Sequence, residues 1–276
     1  MLIEDTYFAR INRNIGHITY QEQELIRTSK VAIMGVGGLG GPLTDLLVRI
    51  GCQNIIICDH DKYDHSNLNR QLCTLKDLGK YKVDHLKEYV LQIDPELNIS
   101  EKKVVNSENI EEALTNVKIV VLSLDDPITS ILIARKCREM NIPMVESWGI
   151  PYLWAWWFTS NSIDYETCYN IPTKTMTIEE LEHREMSAYA ELFPQLTQFP
   201  GLQEIYDREI GTFEKLLSGQ ISFPSMAPFV HLTASYLATE IIFAGILMTK
   251  EKVLAPNVVG YDYLRMRSIK FTMKPT

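Results

Sequence analysis

The sequence predicts an α/β protein with a Rossmann-like, doubly wound and mostly parallel sheet. Three features carry this prediction: an apolar run that ends in a glycine cluster, apolar residues at helical spacing directly after it, and a second apolar run that ends at Asp59. Strands that are apolar throughout are typical of a parallel sheet covered on both faces. A strand, a glycine turn, a helix and a second strand form the unit from which doubly wound sheets are built.

The first such unit covers residues 30–59. Its first strand is predicted at 30–34, and the glycine turn covers 35–41. Apolar residues then recur at helical spacing, at positions 39, 43, 46, 47 and 50. The second strand is predicted at 55–58, which completes the unit.

Further elements continue the same alternation. A helix is predicted from apolar residues at 83, 86, 90 and 93. It ends at Asp94, because the residue before a proline avoids the helical conformation. Residues 118–124 and 142–145 are predicted strands with a helix between them. We therefore predict that residues 1–150 are the nucleotide-binding half of the chain.

Residues 151–276 are predicted to be the substrate and dimer half of the same domain, because no linker or repeat separates the two halves. An insertion is expected at about 161–225, where Thr177 and Glu180 match a capping box. A long helix is predicted at about 227–247. Two strands close the chain and are expected to continue the main sheet, at 257–263 and 268–273.

An aromatic segment joins the two halves. It contains three tryptophans, Trp154, Trp156 and Trp157. Aromatic residues at a spacing of two are typical of half-buried strand residues, which favours core packing. The alternative is a groove that binds an extended peptide, and the sequence leaves both interpretations open.

The composition is that of an ordinary globular protein. The chain has 276 residues, of which 46% are hydrophobic and 22% charged, and its formal net charge is -8. These values exclude a disordered tail and a small scaffold that depends on disulfides. The acidic balance argues against nonspecific binding of nucleic acid, since such binding depends on Lys and Arg.

No membrane partner is expected either. The N-terminal segment lacks the charged region and the apolar stretch of a secretory signal, so a cytoplasmic protein is expected. The apolar stretch 226–248 approaches the length of a membrane span but contains Pro228, His231 and Glu240. These residues favour a buried core helix, with His231 as a core histidine.

The five cysteines form no C-x-x-C pair. Neither a disulfide framework nor a four-thiolate zinc site is therefore expected. Cys73 and Cys168 are candidates for exposed thiols, and the sequence leaves open whether either of them is reactive.

The glycine cluster is the first candidate for a binding site. Backbone amides at the start of a helix attract phosphate, and glycine lets it approach closely because it has no Cβ. The glycines of this pattern are Gly35, Gly37, Gly38 and Gly40. Asp59 stands 24 residues after Gly35, where a carboxylate is expected to accept hydrogen bonds from ribose hydroxyls. To this point NAD and ATP fit equally well.

Two basic residues then favour a triphosphate. Arg70 lies in the polar segment 66–71, and Lys82 follows in the segment 77–82. Two cations delivered to a phosphate-binding crevice suit ATP, whereas hydride transfer to or from a nicotinamide requires no such positive charge.

In their order along the chain these motifs resemble the ThiF/MoeB/HesA family, bacterial relatives of ubiquitin-activating enzymes. The resemblance covers nearly the whole chain, so residues 1–276 are identified as one ThiF-like adenylation domain. Besides the glycine turn it rests on Arg10-Ile11-Asn12-Arg13, Asp59-x-Asp61, Asn67-Leu68-Asn69-Arg70-Gln71, Asp77-x-Gly79-x-x-Lys82, Ile93-Asp94-Pro95, Leu124-Asp125-Asp126, Ala227-Pro228 and Tyr261-Asp262. Members of this family adenylate a C-terminal carboxylate, so the resemblance implies ATP and Mg²⁺.

The resemblance also implies roles for single residues. Asp59 would hold the ribose, with Asp61 in the same nucleotide-binding loop. The implied phosphate contacts are Asn67, Arg70 and Lys82. Asp125 would bind Mg²⁺ or its waters, and Asp126 is a further acidic candidate. Arg13 matches an arginine that reaches the neighbouring subunit's active site, so a homodimer is expected in which Arg13 joins Arg70, Lys82 and Asp125 as a catalytic residue.

The chain departs from the family pattern at three places. Only Cys168 matches a zinc-ligand position, so no structural zinc is expected. No cysteine follows residue 172, so a covalent thioester in the loop before residue 228 is not expected. Ser130 and Ala134 replace an Arg and an Asn that are common after the magnesium-site aspartate, which leaves open how the adenine end or the substrate is held.

We therefore predict an ATP- and Mg²⁺-dependent adenylyltransferase. It would activate the C-terminal carboxylate of a small ubiquitin-like protein or a peptide as an acyl adenylate, without a zinc site or a loop-cysteine thioester. One alternative is a noncatalytic nucleotide-binding partner subunit, which the changes at Ser130 and Ala134 make conceivable. A second alternative is an NAD-dependent oxidoreductase that uses the same glycine turn. The sequence does not name the acyl substrate or the final nucleophile.

Overall fold

The computed structural model describes residues 6–274. Part of the N-terminal segment on which the prediction about a secretory signal rests, residues 1–5, lies outside this range. Within it, nine strands form two sheets. The strands are β1 (Lys30–Met34), β2 (Asn54–Cys58), β3 (Asn98–Lys102), β4 (Ile119–Leu122), β5 (Met144–Glu146), β6 (Tyr152–Leu153), β7 (Trp156–Phe158), β8 (Asn257–Asp262) and β9 (Arg267–Thr272).

The helices cover both faces of the main sheet. The α-helices are α1 (Thr6–Ile11), α2 (Tyr20–Thr28), α3 (Gly40–Ile50), α4 (Lys82–Leu91), α5 (Ile110–Leu114), α6 (Pro127–Glu139), α7 (Tyr165–Cys168), α8 (Ile178–Glu182), α9 (Ala188–Glu191), α10 (Leu202–Tyr206), α11 (Thr212–Leu217) and α12 (Ala227–Thr239). Short 3₁₀ segments occupy Asn12–Asn14, His65–Asn67, Leu75–Asp77 and Phe193–Gln198, and a π-helical segment covers Glu240–Ile246.

The main sheet confirms the predicted doubly wound, mostly parallel fold. Its strand order is β3-β2-β1-β4-β5-β7, and all its pairs are parallel except the pair of β5 with β7. The chain runs outward from β1 first through β2 and β3, and then on the other side through β4 and β5. The carboxyl ends of β1 and β4 therefore border the crevice in which such folds bind ligands.

Two apolar cores lie on opposite faces of this sheet. One core contains the buried sides of α3, α4 and α12. The other contains α5 and α6 together with the short helices of 161–225. The capping box predicted at the start of α8 is present, because Thr177 and Glu180 exchange hydrogen bonds.

The closing strands do not continue the main sheet, and the prediction that they do so is wrong. β8 and β9 form a separate three-stranded sheet with β6, in the order β6-β8-β9. The outer edge of β7 is already occupied, because Trp157 exchanges backbone hydrogen bonds with Val253 and Ala255. This connection covers the edge before β8 begins. The sequence also gave no signal for β3, an edge strand in which only Ile99 is buried.

The three tryptophans of the aromatic segment pack the cores. Trp154, Trp156 and Trp157 are all fully buried, which confirms core packing over a substrate groove. Trp156 and Trp157 point to opposite faces of the sheet and belong to different cores. Their indole N–H groups donate to the carbonyl oxygen of Asn257 and to the carboxylate of Glu240, both at 3.0 Å.

α12 and the π-helical segment together form the long helix predicted from the sequence. The helix Ala227–Ile246 is long and apolar enough to span a membrane, and 56% of its most apolar window is buried inside the protein. Glu240, 1% exposed, forms an ion pair with Lys250 at 2.5 Å. The prediction for His231 is wrong: this side chain is exposed, because it lies on the outer face of α12 together with Pro228, Ser235 and Thr239.

A buried carboxyl group stands at the end of β5. Glu146 is 2% exposed, and the hydroxyl of Tyr169 donates to its Oε2 at 2.8 Å. Within residues 6–274 no cation forms an ion pair with it. Burial raises the pKa of Glu146 to about 8, although hydrogen bonds from Tyr169 and Trp148 partly oppose this shift. The carboxyl group is therefore neutral at pH 7.

This neutral carboxyl group makes stability depend on pH. In the unfolded chain Glu146 ionises near its ordinary pKa of about 4.5, whereas in the folded protein it stays protonated until about pH 8. Between these values the folded state binds more protons, so stability falls as pH rises, by on the order of 1 kcal/mol per pH unit. We expect Glu146→Gln to remove this slope and to be more stable than the wild type at pH 8, measured by urea unfolding at pH 5, 6.5 and 8.

Glu166→Gln is the matched control. Glu166 is also buried, but Arg135 donates to its carboxylate at 2.7 and 2.9 Å, so loss of its charge should destabilise the protein at pH 8. An unchanged slope for Glu146→Gln, or a loss of stability at pH 8, would contradict the assignment of a neutral carboxyl group.

Candidate active site

The glycine turn joins β1 to α3, and close contacts require glycine at two of its positions. Gly35 has a φ of +94°, and a Cβ there would lie 2.3 Å from the carbonyl oxygen of Ser123. A Cβ on Gly40 would lie 1.9 Å from the carbonyl oxygen of Gly35. No side chain caps the N-terminus of α3 in the described part of the chain. Gly41 donates its N–H to the carbonyl oxygen of Gly37 at 3.1 Å and Pro42 has no N–H, so among residues 40–43 the N–H of Gly40 remains for an anion.

Arg70 and Gln71 lie over this turn. A Cβ on Gly38 would be 3.2 Å from Nε of Arg70, and a Cβ on Gly37 would be 3.6 Å from Nε2 of Gln71. Nη1 of Arg70 donates to two acceptors in its own segment, at 3.0 and 2.8 Å. Its Nε and Nη2 make no hydrogen bond within residues 6–274. The structure therefore brings Arg70 to the glycine turn with donors still free.

Asp59 links the glycine turn to the loop after β2. Its Oδ2 accepts from the backbone N–H of Val36, and its Oδ1 accepts from that of Asp61, both at 2.9 Å. A carboxylate has about four acceptor sites, so capacity remains for ribose hydroxyls. Asp59 is 7% exposed, which leaves it at the floor of the crevice.

Lys82 and Asp61 form an ion pair beside Asp59. Nζ of Lys82 lies 2.7 Å from Oδ2 of Asp61, and the Lys82 side chain is 8% exposed against 52% for Asp61. Lys82 is the first residue of α4, and its backbone N–H donates to the carbonyl of Asp61 at 3.0 Å. The sequence predicted Asp61 as a nucleotide contact, and in this structure it is the partner of the lysine.

Asn67 shapes the loop that carries Arg70. Its Oδ1 accepts from the backbone N–H of Asp64 at 3.2 Å, and its carbonyl oxygen accepts from the N–H groups of Arg70 and Gln71. Asn67 is 6% exposed. Asn67 therefore holds the backbone of the Arg70 segment through its carbonyl oxygen.

The two acidic residues after β4 differ in their surroundings. Asp126 is the N-cap of α6, and its carboxylate accepts from the N–H groups of Ile128 and Thr129. Asp125 is exposed, and its side chain has no hydrogen-bond or ion-pair partner in the described range. Of the two, Asp125 is thus free for a cation, whereas Asp126 serves the helix.

Arg13 stands apart from these residues. It is exposed in the 3₁₀ turn after α1, and its side chain contacts no acceptor among residues 6–274. The segment itself is anchored, because Arg10 forms an ion pair with Asp94 and donates to the carbonyl oxygen of Val48. The Arg13 side chain therefore points into solvent from a backbone segment that Arg10 anchors to the rest of the protein.

The two departures on α6 have different surroundings. Ser130 is fully buried, and its hydroxyl has no hydrogen-bond partner in the described structure. The hydroxyl of Tyr165 is also buried without one. Ala134 borders a cavity of about 540 Å³ that Tyr165 and Arg135 also line. Neither position offers a charged group to a nucleotide.

The cysteines offer no activated thiol. Cys168 is 1% exposed, so the prediction of an exposed thiol is wrong for this residue, and burial raises its pKa. Cys73 is half-buried, and burial and Asp77 raise its pKa. A raised pKa lowers the thiolate fraction on which nucleophilic reactivity depends. Among the described residues no cluster of three His, Cys, Asp or Glu side chains could hold a metal ion.

The sequence analysis missed two contributors to this site. Oγ of Ser123 donates to the carbonyl oxygen of Gly35 at 2.6 Å and so fixes the glycine turn to the end of β4. Nε2 of His231 lies 2.9 Å from the carbonyl oxygen of Arg70. Ser123 lies inside the strand predicted at 118–124, whereas the observed β4 ends at Leu122, so the sequence did not mark it as a residue of the crevice. Nothing local to His231 indicated a contact with residue 70.

Comparison with known proteins identifies the family. The ThiF family model matches residues 11–276. The chain belongs to the ThiF family. The predicted resemblance is confirmed by this match, which extends through β9.

Curated relatives of this ThiF family chain match about half of it. The tRNA threonylcarbamoyladenosine dehydratase of Bacillus subtilis is 32% identical over 143 residues, which cover 51% of this chain and 56% of that protein. The molybdopterin-synthase adenylyltransferase of Haemophilus influenzae is 30% identical over 146 residues, 51% of this chain and 60% of that protein. The chain spans about half the length of the curated relatives it matches.

Solved structures match nearly the whole chain in fold. MccB of E. coli in complex with ATP superposes with a TM-score of 0.66 at 22% identity, and the match covers 97% of this chain and 72% of that one. PaaA superposes with a TM-score of 0.67 at 17% identity and covers 98% of this chain and 75% of that one. At these identities the likeness establishes the fold.

The glycine turn of this ThiF family chain leads to a prediction. Gly40→Ala places a methyl group 1.9 Å from the carbonyl oxygen of Gly35, so the turn must shift. We expect a loss of about 1–3 kcal/mol, seen as a fall of several degrees in the melting temperature. Gly37→Ala is the control, because its Cβ would meet nothing closer than 3.6 Å. Equal melting temperatures for the two variants would refute the contact as a constraint.

Proposed function

We propose that this chain is an ATP- and Mg²⁺-dependent adenylyltransferase that activates the C-terminal carboxylate of a peptide or small protein as an acyl adenylate. The names of its relatives support the reaction class, since they include a molybdopterin-synthase adenylyltransferase and a SAMP-activating enzyme E1 of Haloferax volcanii. The observation that carries the proposal is the position of Arg70, whose guanidinium covers Gly38 of the glycine turn with free donors.

The charges around the turn suit the proposed step. A carboxylate oxygen of the substrate attacks the α-phosphorus of ATP, the bond between the α-phosphorus and its bridging oxygen to the β-phosphate breaks, and pyrophosphate leaves. Two anions must approach each other, and charge grows on the leaving group. Arg70 and Lys82 supply fixed positive charge where it is needed, and no protein nucleophile takes part.

Asp125 supports the Mg²⁺ part of the proposal. Magnesium keeps several waters and is bound by one or two carboxylates together with phosphate oxygens. Asp125 is an exposed aspartate without a partner in the described range, and it directly follows Leu124, whose side chain approaches Gly35, so it fits such a donor set. When bound, Mg²⁺ would supply charge neutralisation on the leaving pyrophosphate.

The substrate is proposed to be a peptide or small protein with a free C-terminal carboxylate. MccB has been solved with MccA, and a SUMO-activating enzyme subunit 2 of Dictyostelium discoideum is 33% identical over 149 residues. The departures noted in the sequence favour a peptide over a sulfur carrier. No cysteine follows residue 172, and only Cys168 matches a zinc-ligand position.

The first test measures ATP–pyrophosphate exchange with candidate peptides and ubiquitin-like tails, using wild type and Lys82→Ala. We expect exchange for the wild type and a loss of about a hundredfold or more in Lys82→Ala, because a fixed charge at the developing pyrophosphate is typically worth a few kcal/mol. Lys87→Ala on the same helix is the control, since Lys87 pairs with Glu101 outside the site.

Other outcomes would point elsewhere. ATP binding without exchange for any carboxylate would favour a noncatalytic partner subunit. Binding of NAD but not ATP would favour an oxidoreductase. Exchange that is unchanged in Lys82→Ala would remove this lysine from the mechanism.

A homodimer with shared sites is the second part of the proposal, and the outward position of Arg13 on an anchored segment supports it. If Arg13 completes the partner's site, Arg13→Ala and Asp125→Asn should each be nearly inactive but complement each other when mixed under subunit exchange. In each mixed dimer one site carries both lesions and the other carries neither. Up to about a quarter of all sites should therefore recover exchange activity.

The mixing experiment needs proof that mixed dimers form, for example from differently tagged subunits. If mixed dimers are present and the mixture stays inactive, Arg13 acts within its own subunit or the two sites are coupled. Both explanations reject the proposal that the dimer has two independent sites, each completed by Arg13 of the other subunit.

A further inference from the structure

The start of α12 touches the segment that carries Arg70. Nδ2 of Asn69 donates to the carbonyl oxygen of Ser225 at 2.7 Å. One turn into the helix, Nε2 of His231 lies 2.9 Å from the carbonyl oxygen of Arg70. The partners are 156 and 161 residues apart in the chain, so these contacts join two otherwise separate parts of it.

The chemistry of the contact between His231 and Arg70 determines which group donates the hydrogen bond. A carbonyl oxygen only accepts hydrogen bonds, so Nε2 of His231 must carry the hydrogen. Both the neutral tautomer with hydrogen on Nε2 and the imidazolium satisfy this requirement. His231 therefore acts as the donor in this contact.

α12 is a firm support for this donor. It packs against α3, the helix that begins at the glycine turn. Thr233, Ala234 and Leu237 are fully buried on its inner side, whereas His231 is exposed on the outer side. The hydrogen bond from His231 thus fixes the backbone of Arg70 relative to α3 and α12, the pair of helices that also supports the glycine turn.

The position of the Arg70 guanidinium depends on how its backbone is held. Its guanidinium rests on Gly38, and its own segment is an irregular loop whose backbone N–H at Arg70 is bonded to the carbonyl of Asn67 at 3.1 Å. Because the side chain reaches the glycine turn from this loop, a shift of the backbone carbonyl displaces the charged group.

We propose that His231 is a positioning residue that holds the Arg70 segment against the glycine turn and acts on the bound nucleotide only through the Arg70 guanidinium. This inference rests on the proposed function in one respect, the binding of ATP at the glycine turn. It does not require the adenylation step.

The test measures the dissociation constant of MgATP by calorimetry, without acyl substrate. We expect His231→Ala to weaken binding about three- to tenfold, as for the loss of one hydrogen bond, with the melting temperature within 2 °C or so of the wild type because the side chain is exposed. His231→Gln should recover part of the affinity, since its carboxamide can still donate. His183→Ala is the control: His183 is also exposed and contacts a backbone carbonyl, that of Glu179 at 2.7 Å, in α8.

A double-mutant cycle separates positioning from a direct effect. If His231 acts through Arg70, the replacement His231→Ala should have no further effect in an Arg70→Ala background. Equal effects in both backgrounds, or full affinity in His231→Ala, would overturn the inference. If His231→Ala lowers the melting temperature strongly, His231→Gln decides: weakened binding that is independent of Arg70 overturns the inference, and partial affinity that depends on Arg70 supports it.

The outcomes distinguish this inference from the proposed function. A wild type that binds no MgATP overturns both. A wild type that binds MgATP but catalyses no exchange overturns adenylation alone, and the double-mutant cycle still decides the role of His231.

Discussion

The close approach of Gly40 to the carbonyl of Gly35 is the constraint on which the site depends. It lets the chain leave β1 and enter α3 within a few residues, so the uncapped start of α3 lies at the carboxyl edge of the sheet. Three other elements are then tied to this turn: Asp59 after β2 accepts from the N–H of Val36, Ser123 after β4 donates to Gly35, and Arg70 covers Gly38. A side chain at either glycine would separate these groups at once.

The two cations of the site are held in different ways. Lys82 is buried, and its charge is neutralised by the more exposed carboxylate of Asp61, which water can readily solvate. Arg70 has neutral partners and keeps free donors. Lys82 is therefore held by an opposite charge, and Arg70 is held by hydrogen bonds to neutral acceptors. Both arrangements hold the positive charge in place in the protein alone, which the adenylation proposed above would require of its charged groups.

The sequence predicted those parts of the fold that are encoded locally. β1 and β2 were recognised because they are apolar throughout, and the glycine turn because its spacing has one main use. β3 was missed because an edge strand buries little, and here only Ile99 is buried. β8 and β9 were recognised as strands but assigned to the wrong sheet, since alternation reveals a strand and not its neighbour. The edge of β7 was already covered by Val253 and Ala255.

The same reasoning applies to the candidate site. Arg70, Lys82 and Asp59 could be named because their motifs are contiguous. The structure places Arg70 and Asp59 at the glycine turn and Lys82 beside Asp61. The pairing of Lys82 with Asp61 and the contact of His231 with Arg70 depend on chain segments that meet only in the folded protein. His231 was assigned to the core because its helix is apolar on average, and an average conceals the face of the helix that is exposed to solvent.

The distribution of tryptophan has a practical consequence. All four tryptophans lie within residues 148–157, and three of them are fully buried in the cores. Trp148 alone is partly exposed, and it stands two residues after the end of β5, at the carboxyl edge of the sheet. The intrinsic fluorescence of the protein thus combines a constant signal from three shielded indoles with one that responds to its surroundings. The chain carries its own optical reporter at the carboxyl edge of the sheet, the edge at which doubly wound folds bind their ligands.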